Sequence, residues 1–130
     1  LSKGLGTPVG SLLLGKHDYI KKARRVRKVF GGGMRQAGYL AAAGIYALEN
    51  NIARLADDHA HAHDIAAALA KKDFIGKIMP VETNVIYFEL IKPDLAEEII
   101  KNLNENGILA NTVGQGWLRF VRLGLCVQFH

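Results

Sequence analysis

Lys3 is the residue in this chain best placed to do covalent chemistry, because it lies in a turn-rich segment, LSKGLGTPVGS, that runs from Leu1 to Ser11. A lysine amine kept in its neutral form attacks carbonyls and condenses with aldehydes to a Schiff base. Gly4, Gly6 and Gly10 let the backbone around it turn sharply or enter left-handed conformations, so that main chain can approach a bound ring closely. Taken alone, a Lys-Gly pair reads as a solvated surface cation, and only a longer pattern changes that reading.

Other side chains have chemical potential of a different kind. Gly31, Gly32 and Gly33 precede Met34 and Arg35. A helix starting near Met34 would offer free N–H groups to an anion with Arg35 beside them, while a plain turn between two helices explains the same glycines. His59 and His63 are four residues apart and share a helix face, with His61 between them. Zinc needs three or four ligands with carboxylate or thiolate support, which this spacing lacks, so His59 reads as a packing residue on an apolar stripe. Arg119 has a planar fork suited to bidentate contact with a carboxylate. From its own surroundings in the sequence it reads as an ordinary surface or ion-paired arginine.

These residues need elements to position them. Val9 to Leu14 is a short apolar run bounded by glycines and predicts a buried strand leading away from Lys3. Ile20, Ala23, Val26 and Phe30 recur at helical spacing, which predicts an amphipathic helix from about His17 to Val29. The glycine triplet ends it, and the next helix is expected near Met34. Gln36 to Lys72 is helical in pattern, as one long helix or two joined near Glu49, Asn50 and Asn51. Its first part is rich in small residues, from Ala37 to Ala47, which suit either dimer packing or close packing within a subunit.

Further on, Thr83 to Leu90 reads as a strand, rich in β-branched and aromatic residues. Pro93 opens a helix through Asn106, with Leu95, Ile99 and Leu103 inward, and Gly107 ends it. Ile108 to Val113 and Trp117 to Val121 complete a β-α-β-β layer with a helix on one face of an antiparallel sheet. Gly76 to Pro80 is expected to be the boundary between this layer and the long helix. The expected domains are therefore 1–75, the end of a larger domain with connecting helices, and 76–130, a small α+β domain.

Composition removes several function classes. At 130 residues with 49% hydrophobic content the chain is globular, with one core or two small layers. No apolar run approaches the roughly 20 residues a membrane helix requires, and no signal-peptide pattern is present. Cys126 is the single cysteine, so the chain forms no internal disulfide and a reducing, cytoplasmic setting is expected. Lys and Arg number 17 against 12 Asp and Glu, for a net charge of +5, and Lys21, Lys22, Arg24, Arg25, Arg27 and Lys28 form a cluster. Those cations occupy the outer faces of the amphipathic helix, without interleaved aromatics or a helix-turn-helix or zinc-finger signal, so no nucleic-acid partner is expected. They read instead as a solvated face or an anion-attracting rim.

The segment from Ser2 to Ser11, followed by Gly31-Gly32-Gly33-Met34-Arg35-Gln36-Ala37-Gly38, closely resembles the low-specificity L-threonine aldolases. The likeness continues through Ala41 to Leu48 and Asn51 to His59, and resumes at Leu118-Arg119-Phe120-Val121. That family belongs to the fold-type-I pyridoxal-phosphate enzymes, the aspartate-aminotransferase-like group. The resemblance implies an α/β subunit of which this chain is the C-terminal part, with an α+β arrangement in the region covered, beginning at the cofactor lysine. It implies that Lys3 holds pyridoxal 5'-phosphate as a Schiff base and that Arg119 grips the substrate α-carboxylate. Lys28 matches a lysine near the family's active site, and the resemblance implies that it and Arg35 could influence the cofactor phosphate or the neighbouring subunit's site.

The reaction implied is cleavage of L-threonine or L-allo-threonine to glycine and acetaldehyde, in threonine catabolism and glycine formation, by a homodimer or homotetramer. The ring-binding groups and the general base would come from a part of the family's subunit outside this chain, so the chain alone is expected to be inactive. After Val121 the sequence departs from the family's Thr-His-Leu-Asp-like turn and reads Arg122 to His130 instead. Two other readings stand beside the aldolase: a β-eliminating fold-type-I lyase, and a non-catalytic basic binding or oligomerisation module.

Overall fold

The computed structural model describes residues 1–114 and 116–121. The expected departure after Val121, and Cys126, lie outside the described residues. The chain folds as two compact units, Leu1–Ala53 and a second that starts at Arg54. The packing boundary therefore falls one helix earlier than the division read from the sequence at 75/76.

The first unit is a turn segment and two helices, α1 (His17–Val29) and α2 (Gly38–Asn50). Helix α1 has the predicted limits. Asp18 in its first turn and Arg27 and Lys28 in its last complement the helix dipole. Its end is a Schellman cap: Gly31, at φ 81°, donates its N–H to the Lys28 carbonyl, and Gly32 donates to that of Arg27 at 2.8 Å.

Helix α2 begins at Gly38, not near Met34. Arg35 to Ala37 form a turn with Gln36 at φ 53°, a left-handed conformation that a helix interior does not accept. The expected strand from Val9 to Leu14 is also absent. Those residues form no regular element, and Leu12, Leu13 and Leu14 are exposed. A strand is stable only when a neighbour takes up its backbone groups, and no strand pairs with this stretch among the described residues.

The second unit carries α3 (Leu55–Leu69), β1 (Ile75–Ile78), β2 (Val85–Leu90), a 3-10 turn at Pro93–Leu95, α4 (Ala96–Glu105), β3 (Asn111–Thr112) and β4 (Trp117–Val121). All pairings are antiparallel, in the order β1-β2-β4-β3. The long helical pattern is thus two helices, and the fold class is α/β, with helices followed by a small sheet domain as the sequence implied. The layer is β-β-α-β-β. Ile75–Ile78, read as a boundary, is a strand, because pairing with β2 outweighs the low strand propensity of Gly76 and Lys77. The expected strand from Ile108 to Val113 contracts to Asn111 and Thr112: Gly107 sits at φ 76°, and Ile108 donates its N–H back to Leu103 at 2.8 Å, ending α4.

The core lies on one face of this sheet. Ile75, Ile86, Phe88, Leu90 and Leu118 meet Ala62 of α3 and Ala96 of α4, with Ile65, Leu69, Ile99, Ile100 and Phe120 around them. Phe88 and Phe120 pack edge to face with ring centroids 4.9 Å apart. Since side chains alternate along a strand, Tyr87, Glu89, Trp117 and Arg119 belong to the opposite face.

Candidate active site

Lys3 opens a one-turn 3-10 helix, Lys3–Leu5, and its backbone is left-handed at φ 72°. For a non-glycine residue that conformation costs on the order of 1 kcal/mol and persists only where its surroundings over-determine it. Here several contacts do so. Gly6, itself at φ 77°, caps the turn by donating its N–H to the Lys3 carbonyl at 2.8 Å. Ser2 and Thr7 form a β-bridge across the base of the turn. The Leu1 nitrogen donates to the Gly10 carbonyl at 2.7 Å.

Helix α2 seats this turn on one stripe. A Cβ on Gly44 would stand 3.1 Å from the Leu1 side chain, Ala47 is buried, and the Asn51 amide donates to the Leu5 carbonyl at 2.7 Å. Positions 44, 47 and 51 recur at three and four residues, so they share a face. Of the small residues of α2, Gly44 and Ala47 serve close packing within the unit, while Ala41 and Ala42 are exposed. The Lys3 side chain, held from below by its backbone, is exposed.

Lys28 lies in the last turn of α1, and its stem runs over Gly33, where a Cβ would come within 3.3 Å of its Cγ. Its side chain is exposed, as is that of Arg35, which sits in the turn ahead of α2. Helix α2 begins after the turn that holds Arg35, so Met34 does not open a helix, and a turn separates α1 from α2. Lys3, Lys28 and Arg35 all belong to the first unit, and Arg119 to the second.

Arg119 is central in β4, opposite Tyr87 of β2 on one side and Asn111 of β3 on the other. It is half-buried, and its Nε is enclosed without a hydrogen-bond partner. Tyr87 and Trp117 also line a shallow hollow with Met79, Pro80, Glu82 and Val113. Sequence reasoning missed Tyr87 and Asn111, since strand register, which pairs them with Arg119, leaves no local signal. Among the described residues no cluster of three metal-ligating side chains forms. No described helix is long and apolar enough to cross a membrane.

Residues 1–92 match the model of the beta-eliminating lyase family. The chain belongs to that family. Within this lyase family the likeness is to aldolases. A low specificity L-threonine aldolase of Escherichia coli K12 is 59% identical over 87 residues, which cover 67% of this chain and 26% of that protein. Low-specificity L-threonine aldolase 1 of Arabidopsis thaliana is 46% identical over 112 residues, 84% of this chain and 31% of the plant protein. A probable low-specificity L-threonine aldolase of Schizosaccharomyces pombe is 43% identical over 86 residues, covering 66% and 23%. This member of the lyase family therefore spans between about a quarter and a third of the length of the curated relatives it matches.

Proposed function

We propose that this chain supplies the cofactor lysine and the carboxylate-binding arginine of a pyridoxal-phosphate-dependent enzyme that cleaves L-threonine and L-allo-threonine to glycine and acetaldehyde. The observation that carries the reading is the turn at Lys3: a non-glycine residue in a left-handed backbone, fixed by Gly6, with its side chain open to solvent. Left-handed strain at a lysine has a use if the side chain must be aimed.

The residues present fit the cofactor. An exposed Nζ on a braced turn is accessible to an aldehyde carbon, with which it would condense with loss of water. When bound, pyridoxal phosphate supplies the electron sink for the pair released on Cα as the Cα–Cβ bond breaks. Arg119 binds and orients the substrate α-carboxylate through its fork. Lys28 and Arg35 offer exposed cations to the cofactor phosphate or to the neighbouring subunit's site. The base that takes the β-hydroxyl proton is supplied from outside this chain. The substrate is a small amino acid, and the working protein is a homodimer or homotetramer in the cytoplasm. The exposed apolar residues Leu14, Phe30 and Tyr39 of the first unit support the assembly, and the single cysteine fits a reducing compartment.

The matching family description favours β-elimination as the second reading. Product analysis separates the two: glycine and acetaldehyde from aldol cleavage, a 2-oxo acid and ammonia from elimination. The direct test is borohydride trapping with pyridoxal phosphate followed by peptide mapping, on the chain joined to the N-terminal portion of an aldolase relative. Selective labelling of Lys3 over the other lysines is expected. Indiscriminate labelling of that folded protein would end the reading.

A further inference from the structure

We infer that Tyr87 and Asn111 are positioning residues for Arg119, setting its guanidinium so that its two Nη groups receive the substrate carboxylate end-on. The inference deepens the carboxylate role proposed for Arg119 and rests on it. Three observations lead there. In register, Tyr87 stands directly opposite Arg119 across the β2–β4 pair, and Asn111 directly opposite it across the β3–β4 pair. The three residues therefore form one row on the sheet face away from the core, since Ile86, Phe88 and Leu118 occupy the other face. Directly opposed side chains have Cβ atoms about 4.5–5.5 Å apart, within reach of an arginine and a tyrosine.

The third observation is the enclosed Nε of Arg119, a buried donor without a partner among the described residues. Burial fixes which edge of the guanidinium is on offer. That edge is the Nη end, where a carboxylate accepts from both Nη groups at once. Tyr87 stands on one side of the row, where its aromatic face can take up a guanidinium plane. On the other side, the Asn111 amide oxygen can accept from the outer Nη–H and hold the fork against rotation. Without these neighbours Arg119 would keep its charge and lose its aim.

The test uses the chain joined to the N-terminal portion of an aldolase relative and loaded with pyridoxal phosphate. Stopped-flow absorbance of the bound cofactor, read within the first turnover, gives the Kd for L-threonine and for 1-amino-2-propanol, the same molecule without its carboxylate. Tyr87→Ala and Asn111→Ala are each expected to weaken L-threonine binding about tenfold and to leave the amino alcohol within twofold. Tyr87→Phe, which keeps the ring, restores L-threonine binding to within threefold. Tyr87→Leu keeps bulk without a π face and behaves like the alanine variant. Arg119→Lys tests the underlying role separately. If it weakens L-threonine alone while the Tyr87 and Asn111 variants do nothing, the carboxylate role stands and the positioning inference falls. If Arg119→Lys leaves L-threonine binding unchanged, both fall. Equal weakening of the two ligands by Tyr87→Ala would also overturn the inference, as general damage to the site.

Discussion

At Lys3 one residue carries two opposing demands. The turn would be more comfortable with glycine, whose left-handed backbone carries no Cβ penalty, yet the proposed chemistry needs an amine. Lys3→Gly is therefore expected to raise stability by about 0.5–1 kcal/mol while abolishing cofactor trapping at that position, as read by urea midpoint and peptide mapping. A loss of stability would mean that the lysine side chain braces the turn. Gly116 makes the converse case. It sits at φ 76°, and a Cβ there would come within 3.0 Å of the Pro93 ring. Strain and overlap act together, so Gly116→Ala should lower stability by about 2–4 kcal/mol in the same measurement.

At the scale of elements, the sheet assigns chemistry by face. Phe88 is fully buried against Phe120 on the helix-covered face, and its neighbour Tyr87 points away from it. Phe88→Ala should cost about 3–5 kcal/mol of stability and Tyr87→Ala less than about 1, so denaturant midpoints of the pair check the face assignment. Helix α2 has a similar division of labour. Its stripe at Gly44, Ala47 and Asn51 carries the lysine turn, and Asn51 reaches the Leu5 carbonyl. Asn51→Ala should remove about 1 kcal/mol and slow borohydride trapping at Lys3 several-fold by loosening the turn, while labelling of other lysines stays constant. An unchanged rate would detach the turn's geometry from its reactivity. Helix α1 was legible to the residue because the glycine triplet that ends it is a local capping device. Helix α2 was not, because the left-handed Gln36 that delays it belongs to a turn that no residue type announces.

For the molecule as a whole, coverage and surface lead to one expectation. The chain spans 26–31% of two of the aldolases it resembles, and it exposes large side chains at Leu13, Leu14, Phe30 and Tyr39. Exposed apolar surface of this kind promotes association. Taken by itself, the 130-residue chain should self-associate in light scattering and release no acetaldehyde from L-threonine. A clean monomer or threonine-dependent acetaldehyde would contradict that. The basic cluster on α1 is solvent-facing, so any retention on nucleic acid should vanish by roughly physiological salt, as expected for counterion release without base stacking.

The sequence by itself determined what depends on neighbours along the chain: the limits of α1, the end of α4 at Gly107, the central strand β2, and the lysine-turn motif with its family. Each rests on periodicity, a cap or a run of residue types within one element. Tertiary structure decided what depends on neighbours in space. Ile75–Ile78 became a strand only because β2 lies beside it, and Val9 to Leu14 remained irregular because nothing does. Likewise, Arg119 could be named from its motif, but its company of Tyr87 and Asn111 came from register across 32 and 8 residues of sequence. Hydrogen bonds between strands are exchanged between distant segments, so local propensity carries no record of who the partner is.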